Sequence, residues 1–199
     1  IENNDPTYQK ALQYKISSHY FLKNYSKSVE LETFINDQTE NKDYCHYYIA
    51  ESFLKLKKYD KTLSNLLNIK NYIDRENDIK FKIAYSYYML GLNEESKSYF
   101  NELTNQKNKY SQKSFFYLGK IFQENDKINQ AKNYFYAAYR DDKDDLYTKN
   151  ALLNYSKSNY IIGDYDLSIA TLEKLKVEFP NFKLDEVNGL ISENYFLTN

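Results

Sequence analysis

The stretch that decides the fold runs from Ala151 to Pro180 and reads ALLNYSKSNYIIGDYDLSIATLEKLKVEFP. Apolar residues recur three and four positions apart on both sides of Gly163, which is the pattern of two amphipathic helices joined by a tight turn. Similar turns occur upstream, and the residues that follow the five turns are Tyr25, Tyr59, Asn93, Ile128 and Tyr165. Their separations of 34, 34, 35 and 37 residues predict a stack of helical hairpins.

The composition favours helices and argues against two classes of partner. With 42% hydrophobic and 28% charged residues, the 199-residue chain can bury a core, and four Gly and two Pro leave little material for β-hairpins or phosphate-binding loops. The net charge of −1 supplies no field that would attract nucleic acid or an anionic membrane surface. No window approaches the roughly 18 to 20 apolar residues of a membrane span. We therefore expect an all-α protein that neither binds nucleic acid nor spans a membrane.

The hairpins share one apolar pattern, which is clearest in the fourth. Large and small residues at helical spacing follow its two helices, namely Phe115, Leu118, Gly119 and Phe122, then Ala131, Phe135 and Ala138. Residues three or four apart lie on one face of a helix. A small residue at the position of Ala131 lets the helices approach closely, and a large one at Phe135 fills the space below it.

This pattern resembles that of the tetratricopeptide repeat family. Repeats of that family carry a Leu-Gly pair and an aromatic residue on the first helix, Gly-Asp-Tyr at the turn, small and aromatic residues on the second helix, and a final Pro. The segment that ends at Pro180 matches at Gly163, Asp164, Tyr165, Ser168, Leu172 and Leu175. The first repeat matches least well, because Glu32 stands where the family has an aromatic residue.

The resemblance implies a right-handed superhelical solenoid of about five helical hairpins and a terminal helix. We expect one solenoid domain over residues 1–199. Its repeats would lie at about 6–38, 42–72, 76–107, 109–141 and 146–180, with the last helix at 183–198. The chain begins with Ile1 rather than methionine, so we expect that residue to follow a processing site or an arbitrary boundary.

No arrangement of residues indicates catalysis, a cofactor or a metal site. Cys45 and His46 are adjacent, but neighbours on a helix point about 100° apart, so the pair cannot act together without further groups. We expect a buried thiol there, and ordinary packed or surface imidazoles at His19 and His46. The acidic stretch 141–145 lacks the glycine and the distal glutamate of a calcium loop, so we interpret it as a solvated turn. The segment is predicted to be non-enzymatic.

The most informative feature for function is the excess of aromatic residues, with 23 Tyr and 12 Phe. When the family's groove-facing positions are carried over by register, they form a strongly aromatic set that we call the groove residues. They are Tyr44, Tyr47, Tyr48, Glu51, Phe81, Lys82, Tyr85, Tyr88, Met89, Phe116, Tyr117, Lys120, Asn154, Lys157 and Tyr160. Aromatic side chains bury much area at low entropic cost, so this set predicts the binding of a peptide or a helix from a protein partner.

Two alternatives stay open at this stage. Tyr, Phe, Asn, Lys and Ile all have AT-rich codons, so an AT-rich bacterial genome could supply exposed aromatics without selection for binding. The chain is either a scaffold or adaptor, or the regulatory or docking segment of a larger enzyme or signalling protein.

The repeat end at Leu172 to Pro180 is similar to those of bacterial envelope proteins, which favours the periplasm or cell envelope over the cytoplasm. Self-association through the ends of the solenoid is a further possibility.

Overall fold

The structure is a computed structural model that describes residues 5–71, 74–105, 107–141 and 144–198. These residues form eleven α-helices and one short 3-10 helix, and they include no β-strand. The helices are α1 (Pro6–Phe21), α2 (Tyr25–Glu30), α3 (Lys42–Lys55), α4 (Tyr59–Leu67), α5 (Glu76–Met89), α6 (Asn93–Thr104), α7 (Ser111–Glu124), α8 (Ile128–Asp141), α9 (Asp145–Ile161), α10 (Tyr165–Glu178) and α11 (Leu184–Thr198). The all-α fold class is therefore confirmed. In the described part of the chain, no helix is long and apolar enough to cross a bilayer.

Consecutive helices pair as hairpins, and each pair joins an odd-numbered first helix to an even-numbered second helix. The five residues predicted to follow the turns are the first residues of α2, α4, α6, α8 and α10. The first hairpin departs from regular geometry, because α2 continues into the 3-10 helix Leu31–Phe34. Asp5 caps α1 by accepting hydrogen bonds from the backbone N–H groups of Thr7 and Tyr8, and Pro6 takes the first helical position.

The turn between the two helices of a hairpin has the same backbone geometry in all five cases. The residue two positions before the second helix has a positive φ, and these residues are Lys23 (60°), Lys57 (57°), Gly91 (75°), Asp126 (55°) and Gly163 (83°). The next N–H group donates to the carbonyl five residues earlier, as from Lys58 to Phe53 at 3.0 Å and from Asp164 to Asn159 at 2.9 Å. This is the Schellman arrangement, which satisfies the carbonyl groups at the end of the first helix.

The residues divide into two compact units, one up to Tyr99 and the other from Phe100 onward, so the boundary falls inside α6. The single-domain assignment for residues 1–199 stays a prediction. In the first unit, the buried core includes Ile16, Ile49 and Ile79. In the second, Leu152, Leu172 and Val187 belong to one buried cluster, while Ala131, Phe135 and Ala138 are fully buried, as the apolar pattern predicts.

Small residues bring the two helices of a hairpin together, and in two hairpins they also add a hydrogen bond. The Ser28 hydroxyl donates to the carbonyl oxygen of Ile16 at 3.3 Å, and the Ser96 hydroxyl donates to that of Ala84 at 2.8 Å. In the fourth hairpin the close contact is steric. A Cβ atom added to Gly119 would lie 2.7 Å from the ring of Phe135. The sequence predicted the close approach, but not the hydrogen bonds made by the serines.

Candidate protein-binding surface

All fifteen groove residues lie on first helices, with four on α3, five on α5, three on α7 and three on α9. Met89 is 41% exposed, whereas Tyr47, Tyr48 and Glu51 are only 4%, 9% and 6% exposed. The other eleven are half-buried. The assignment of this set to partner binding stays a prediction.

In the first unit, Tyr47 is the centre of a polar network. Its hydroxyl donates to Asp78 Oδ2 at 2.7 Å and accepts hydrogen bonds from Arg75 Nη1 at 3.1 Å and Lys82 Nζ at 3.2 Å. The Arg75 guanidinium and the Lys82 ammonium also lie 4.8 and 5.0 Å from the centroid of the Tyr47 ring. Cations at this distance are attracted to the face of an aromatic ring. The network therefore holds Tyr47 by both its hydroxyl and its ring.

The ammonium of Lys82 joins this network to a second carboxylate. It forms ion pairs with both Glu51 and Asp78, and the Tyr20 hydroxyl donates to Glu51 Oε2 at 2.9 Å. The contacts link α1, α3 and α5, the first helices of three consecutive hairpins. Since all three charged side chains are mostly buried, each depends on its partners for compensation.

The pKa values of this cluster move in the directions that the contacts require. Burial by itself would lower the pKa of Lys82, but the Glu51 and Asp78 carboxylates together outweigh that effect and raise it. Burial, and then the charge of Glu51, raise the pKa of Tyr20. Burial is also the main reason why the pKa of Tyr47 is raised. Lys82 is therefore charged at neutral pH, and both tyrosines are neutral hydrogen-bond donors.

Aromatic residues also follow one side of α5, where Phe81 and Tyr85 are half-buried and Met89 beside them is exposed. The rings of Phe81 and Tyr85 stack with their centroids 6.4 Å apart, and Tyr59 meets Tyr85 edge-on at 6.0 Å. Tyr88 lies next to Met89 on the same helix and is half-buried. Together these residues give α5 an apolar face of about two helical turns, next to Asp78 and Lys82 of the network centred on Tyr47.

In the second unit, Phe116 and Tyr117 belong to an aromatic cluster on α7. The ring centroid of Phe116 lies 5.8 Å from that of Phe135 and 5.5 Å from that of Tyr147. Tyr117 stacks on Phe100 at 5.4 Å, with the two ring planes only 6° from parallel. Tyr147 was not among the groove residues, although it lies in the first turn of α9, the next first helix. The Lys120 ammonium donates to Gln123 Oε1 at 3.0 Å.

Two groove residues of α9, Lys157 and Tyr160, bind α11, the second helix after α9 in the chain. Lys157 Nζ donates to Glu186 Oε1 at 2.5 Å, and the Tyr160 hydroxyl donates to Glu193 Oε1 at 2.6 Å. The hydrogen bond from Lys157 is the main cause that lowers the pKa of Glu186. Asn154 donates from Nδ2 to the Asn150 carbonyl of its own helix at 2.7 Å. These contacts tie α9 to α11 in the way that Tyr20 and Tyr47 tie the helices of the first unit.

Sequence reasoning missed Tyr20, Arg75 and Asp78, which are functional in the sense that they hold Tyr47 and Glu51 in place. The signal that could have found them is spacing. Tyr20 and Glu51 are 31 residues apart, as are Tyr47 and Asp78, which is just under one repeat. A polar residue and its partner one repeat later lie on neighbouring first helices.

Cys45 and His46, the residues considered for catalysis, are both buried. Cys45 is buried, and burial raises the pKa of its thiol to about 12. His46 Nδ1 lies 2.9 Å from Asn65 Oδ1, while Asn65 Nδ2 donates to Glu32 Oε1 at 2.6 Å. Since the amide nitrogen of Asn65 faces Glu32, its oxygen faces the ring and accepts the proton of His46 Nδ1. The described residues include no group of three or more His, Cys, Asp or Glu that could hold a metal ion.

The acidic stretch at 141–145 is only partly described, because Asp142 and Lys143 lie outside the described residues. Asp141 accepts a hydrogen bond from the Ser111 hydroxyl. Asp144 caps α9, with its side chain accepting from the backbone N–H of Leu146 at 3.0 Å. Both carboxylates therefore have local structural roles.

Comparison with known proteins shows what this arrangement of hairpins is similar to. A family model described as tetratricopeptide repeat matches residues 78–106, which span most of α5 and all of α6. A comparison with curated protein sequences found no match.

Solved structures of tetratricopeptide repeat proteins share their fold with most of the chain. The C-terminal part of a TPR repeat-containing protein from Cytophaga hutchinsonii is 14% identical and superposes with a TM-score of 0.72, covering 94% of this chain and 77% of that one. A tetratricopeptide repeat protein from Parabacteroides merdae is 16% identical, with a TM-score of 0.71 and coverage of 94% and 72%. YrrB, described as a TPR protein with an unusual peptide-binding site, is 11% identical, with a TM-score of 0.66 and coverage of 85% of each chain.

Proposed function

We propose that the chain is a tetratricopeptide repeat protein and that it binds a segment of another protein on its first helices. The observation that carries this proposal is the aromatic side of α5. In a unit where Tyr47, Tyr48 and Glu51 are buried, α5 still presents Met89 as an exposed side chain and Phe81, Tyr85 and Tyr88 as half-buried ones. A related fold supports a protein ligand, since YrrB is described as having a peptide-binding site.

The chemistry of this face suits a helical or extended segment of a partner. Phe81 and Met89 offer apolar area, and an adaptable thioether such as Met89 fills irregular gaps. Tyr85 and Tyr88 combine large rings with hydroxyl groups that can hydrogen-bond a peptide backbone. Rigid aromatic anchors of this kind provide a large part of the binding energy in many protein interfaces.

The polar network beside the aromatic face of α5 supports the proposal, because it restricts the motion of that face. Lys82 lies on α5 between Phe81 and Tyr85, and it is held by Glu51 on α3 as well as by Asp78 on α5. A surface built on helices that are fixed by such contacts loses little freedom when a partner binds. We therefore assign to Tyr47, Glu51 and Lys82 the role of supporting the surface, rather than that of first contact with the partner.

The setting that we propose is the bacterial cell envelope, with no catalytic role for this chain. The support is the similarity of the repeat end at Leu172 to Pro180 to those of bacterial envelope proteins. Fractionation of cells that carry a tagged chromosomal copy tests the location. Recovery with the periplasmic or membrane fraction is expected. Recovery only with the cytosol would favour the alternative function, a docking segment of a cytosolic enzyme or signalling protein.

Site-specific photo-crosslinking tests the proposed surface. Benzoylphenylalanine placed at Tyr88 should capture a partner in cells of the native organism, whereas the same residue placed at Lys61, which is exposed on α4, should not. With the captured partner purified, Tyr85→Ser combined with Tyr88→Ser should weaken binding about tenfold or more. Tyr195→Ser on α11 is the matched control and should leave affinity unchanged. Equal capture from Lys61, or unchanged affinity of the double variant, would remove this surface from consideration.

A further inference from the structure

A second candidate site lies on the other side of the second unit. It is a cleft of about 380 Å³ between α8, α9 and α10. Its walls include Tyr136, Tyr139, Arg140, Tyr155, Thr171 and Lys174. Pockets of a few hundred cubic ångströms that combine aromatic walls with a few polar groups are the usual form of ligand sites.

The cleft does not belong to the surface proposed above. At about 100° per residue, Leu152 and Tyr155, which line the cleft, point to one side of α9, while the groove residues Asn154 and Lys157 point to nearly the opposite side. Most of the remaining lining comes from the second helices α8 and α10, which carry no groove residue. A ligand in the cleft would therefore leave the groove residues of α9 accessible.

Three tyrosines form the aromatic part of the cleft. The ring centroid of Tyr136 lies 5.3 Å from that of Tyr155 and 6.3 Å from that of Tyr139. Tyr136 is 44% exposed, and Leu152 beneath it is buried. The rings thus present an open apolar wall, while their hydroxyl groups can pair with polar atoms of a ligand.

Two cations stand at the same cleft. Lys174 Nζ lies 4.9 Å from the centroid of the Tyr139 ring and 3.5 Å from Glu178 Oε1. Within the part of the chain that the structure describes, the exposed Arg140 guanidinium forms no ion pair or hydrogen bond. A guanidinium presents a planar set of donors that matches a carboxylate in bidentate fashion. The cleft therefore has an uncompensated carboxylate-binding group beside an aromatic wall.

We propose that this cleft binds an acidic segment of a partner protein. A carboxylate of the segment pairs with Arg140 and is attracted by Lys174, and a neighbouring apolar side chain packs on Tyr136 and Tyr155. The charge of Arg140 selects an anionic ligand, since Lys174 is already paired with Glu178, and the tyrosine wall favours a segment in which acidic and apolar residues are adjacent. The chain would then hold one partner on its first helices and a second, acidic one on this side.

Nuclear magnetic resonance with the whole chain tests the proposal. The probe is the peptide acetyl-Gly-Glu-Leu-Asp-Phe-Gly-amide, titrated into ¹⁵N-labelled protein up to about 1 mM. Saturable shifts are expected for backbone amides near Tyr136, Arg140, Tyr155 and Lys174. The neutral analogue, with Gln and Asn in place of Glu and Asp, should bind about tenfold more weakly, because the charged hydrogen bonds are lost.

Two variants show whether binding of the acidic peptide depends on the positive charge in the cleft or on the net charge of the chain. Arg140→Gln should weaken binding of the acidic peptide about tenfold, whereas Lys127→Gln, which removes an exposed positive charge from the turn before α8, should not change it. Absence of saturable shifts, equal binding of the neutral analogue, or shifts centred on Asn154 and Lys157 would each overturn the proposal. Phenylacetate binding as tightly as the peptide would also overturn it, because the cleft would then select a small aromatic acid.

Discussion

The Gly119→Ala substitution should destabilise the second unit, even though alanine is the better helix former. The new Cβ atom would lie 2.7 Å from two carbons of the Phe135 ring, and ordinary van der Waals contact begins at 3.4 Å. The ring would have to move by about 0.7 Å to restore ordinary contact. It is fully buried and is packed against Phe116 with the ring centroids 5.8 Å apart, so it has little room to move.

Two opposing free-energy terms decide the size of the effect. Replacing glycine by alanine inside a helix stabilises it by about 0.5–1 kcal/mol. Forcing an extra carbon into a well-packed core costs about 1–3 kcal/mol, and the burial of Phe135 places this site within that range. The steric term is the larger one. We expect a net loss of about 1 kcal/mol in the free energy of unfolding, which would lower the melting temperature by about 2–4 °C.

Urea unfolding followed by far-ultraviolet circular dichroism measures this loss. Gly189→Ala is the matched control, because Gly189 is exposed on α11 and an added Cβ would have no atom within 4 Å. It should gain the full helix-propensity term of about 0.5–1 kcal/mol. Phe135→Leu should reduce the cost of Gly119→Ala, since the two sites are coupled. If Gly119→Ala raised the unfolding midpoint as much as Gly189→Ala does, the steric argument would be wrong.

Three further predictions concern buried groups. Lys82→Met should lower the free energy of unfolding by about 3 kcal/mol, because Glu51 and Asp78 would lose the cation between them, and an unchanged thermal melt would contradict this. Cys45 should resist alkylation in the folded protein and react in urea. Stability should fall as pH rises from about 9 to about 11, since the unfolded thiol ionises there while the folded thiol, with its pKa raised to about 12, does not. Urea titrations at several pH values should show a shallower fall for Cys45→Ala, and an identical slope would argue against this origin. Ala131→Glu should cost several kcal/mol by placing an unpaired charge in a hairpin interface, and normal melting would mean that the register is wrong.

The position of every hairpin could be predicted because local signals fix it. Apolar residues three and four apart define each helix, and a short polar turn separates the two helices. Residues such as Tyr59 and Tyr165 therefore fall at the first position of a helix, as the spacing predicts. The turn conformation was harder to predict from the sequence, since only two of the five turn residues, Gly91 and Gly163, are glycines, which readily adopt a positive φ. Lys57 adopts the same conformation because the hydrogen bonds of the turn outweigh its strain.

Exposure within the groove residues could not be predicted from register alone. Tyr47 and Tyr85 both stand at groove positions, yet Tyr47 is buried and Tyr85 is half-buried. The difference comes from Asp78 and Arg75, which reach Tyr47 from the following hairpin. Such contacts depend on the angle and offset between successive first helices. A pattern within one repeat carries no information about that geometry.

The polar contacts between successive first helices bear on how the chain avoids misfolding. Hairpins with such similar apolar faces could stack in a wrong order, or on a hairpin of another molecule, and bury nearly the same area. The pairs Tyr20–Glu51 and Tyr47–Asp78 form only when each hairpin meets its native neighbour. A misordered stack would leave a carboxylate buried without its donor, at a cost of several kcal/mol. We expect these pairs to contribute to the fidelity of folding by penalising wrong assemblies.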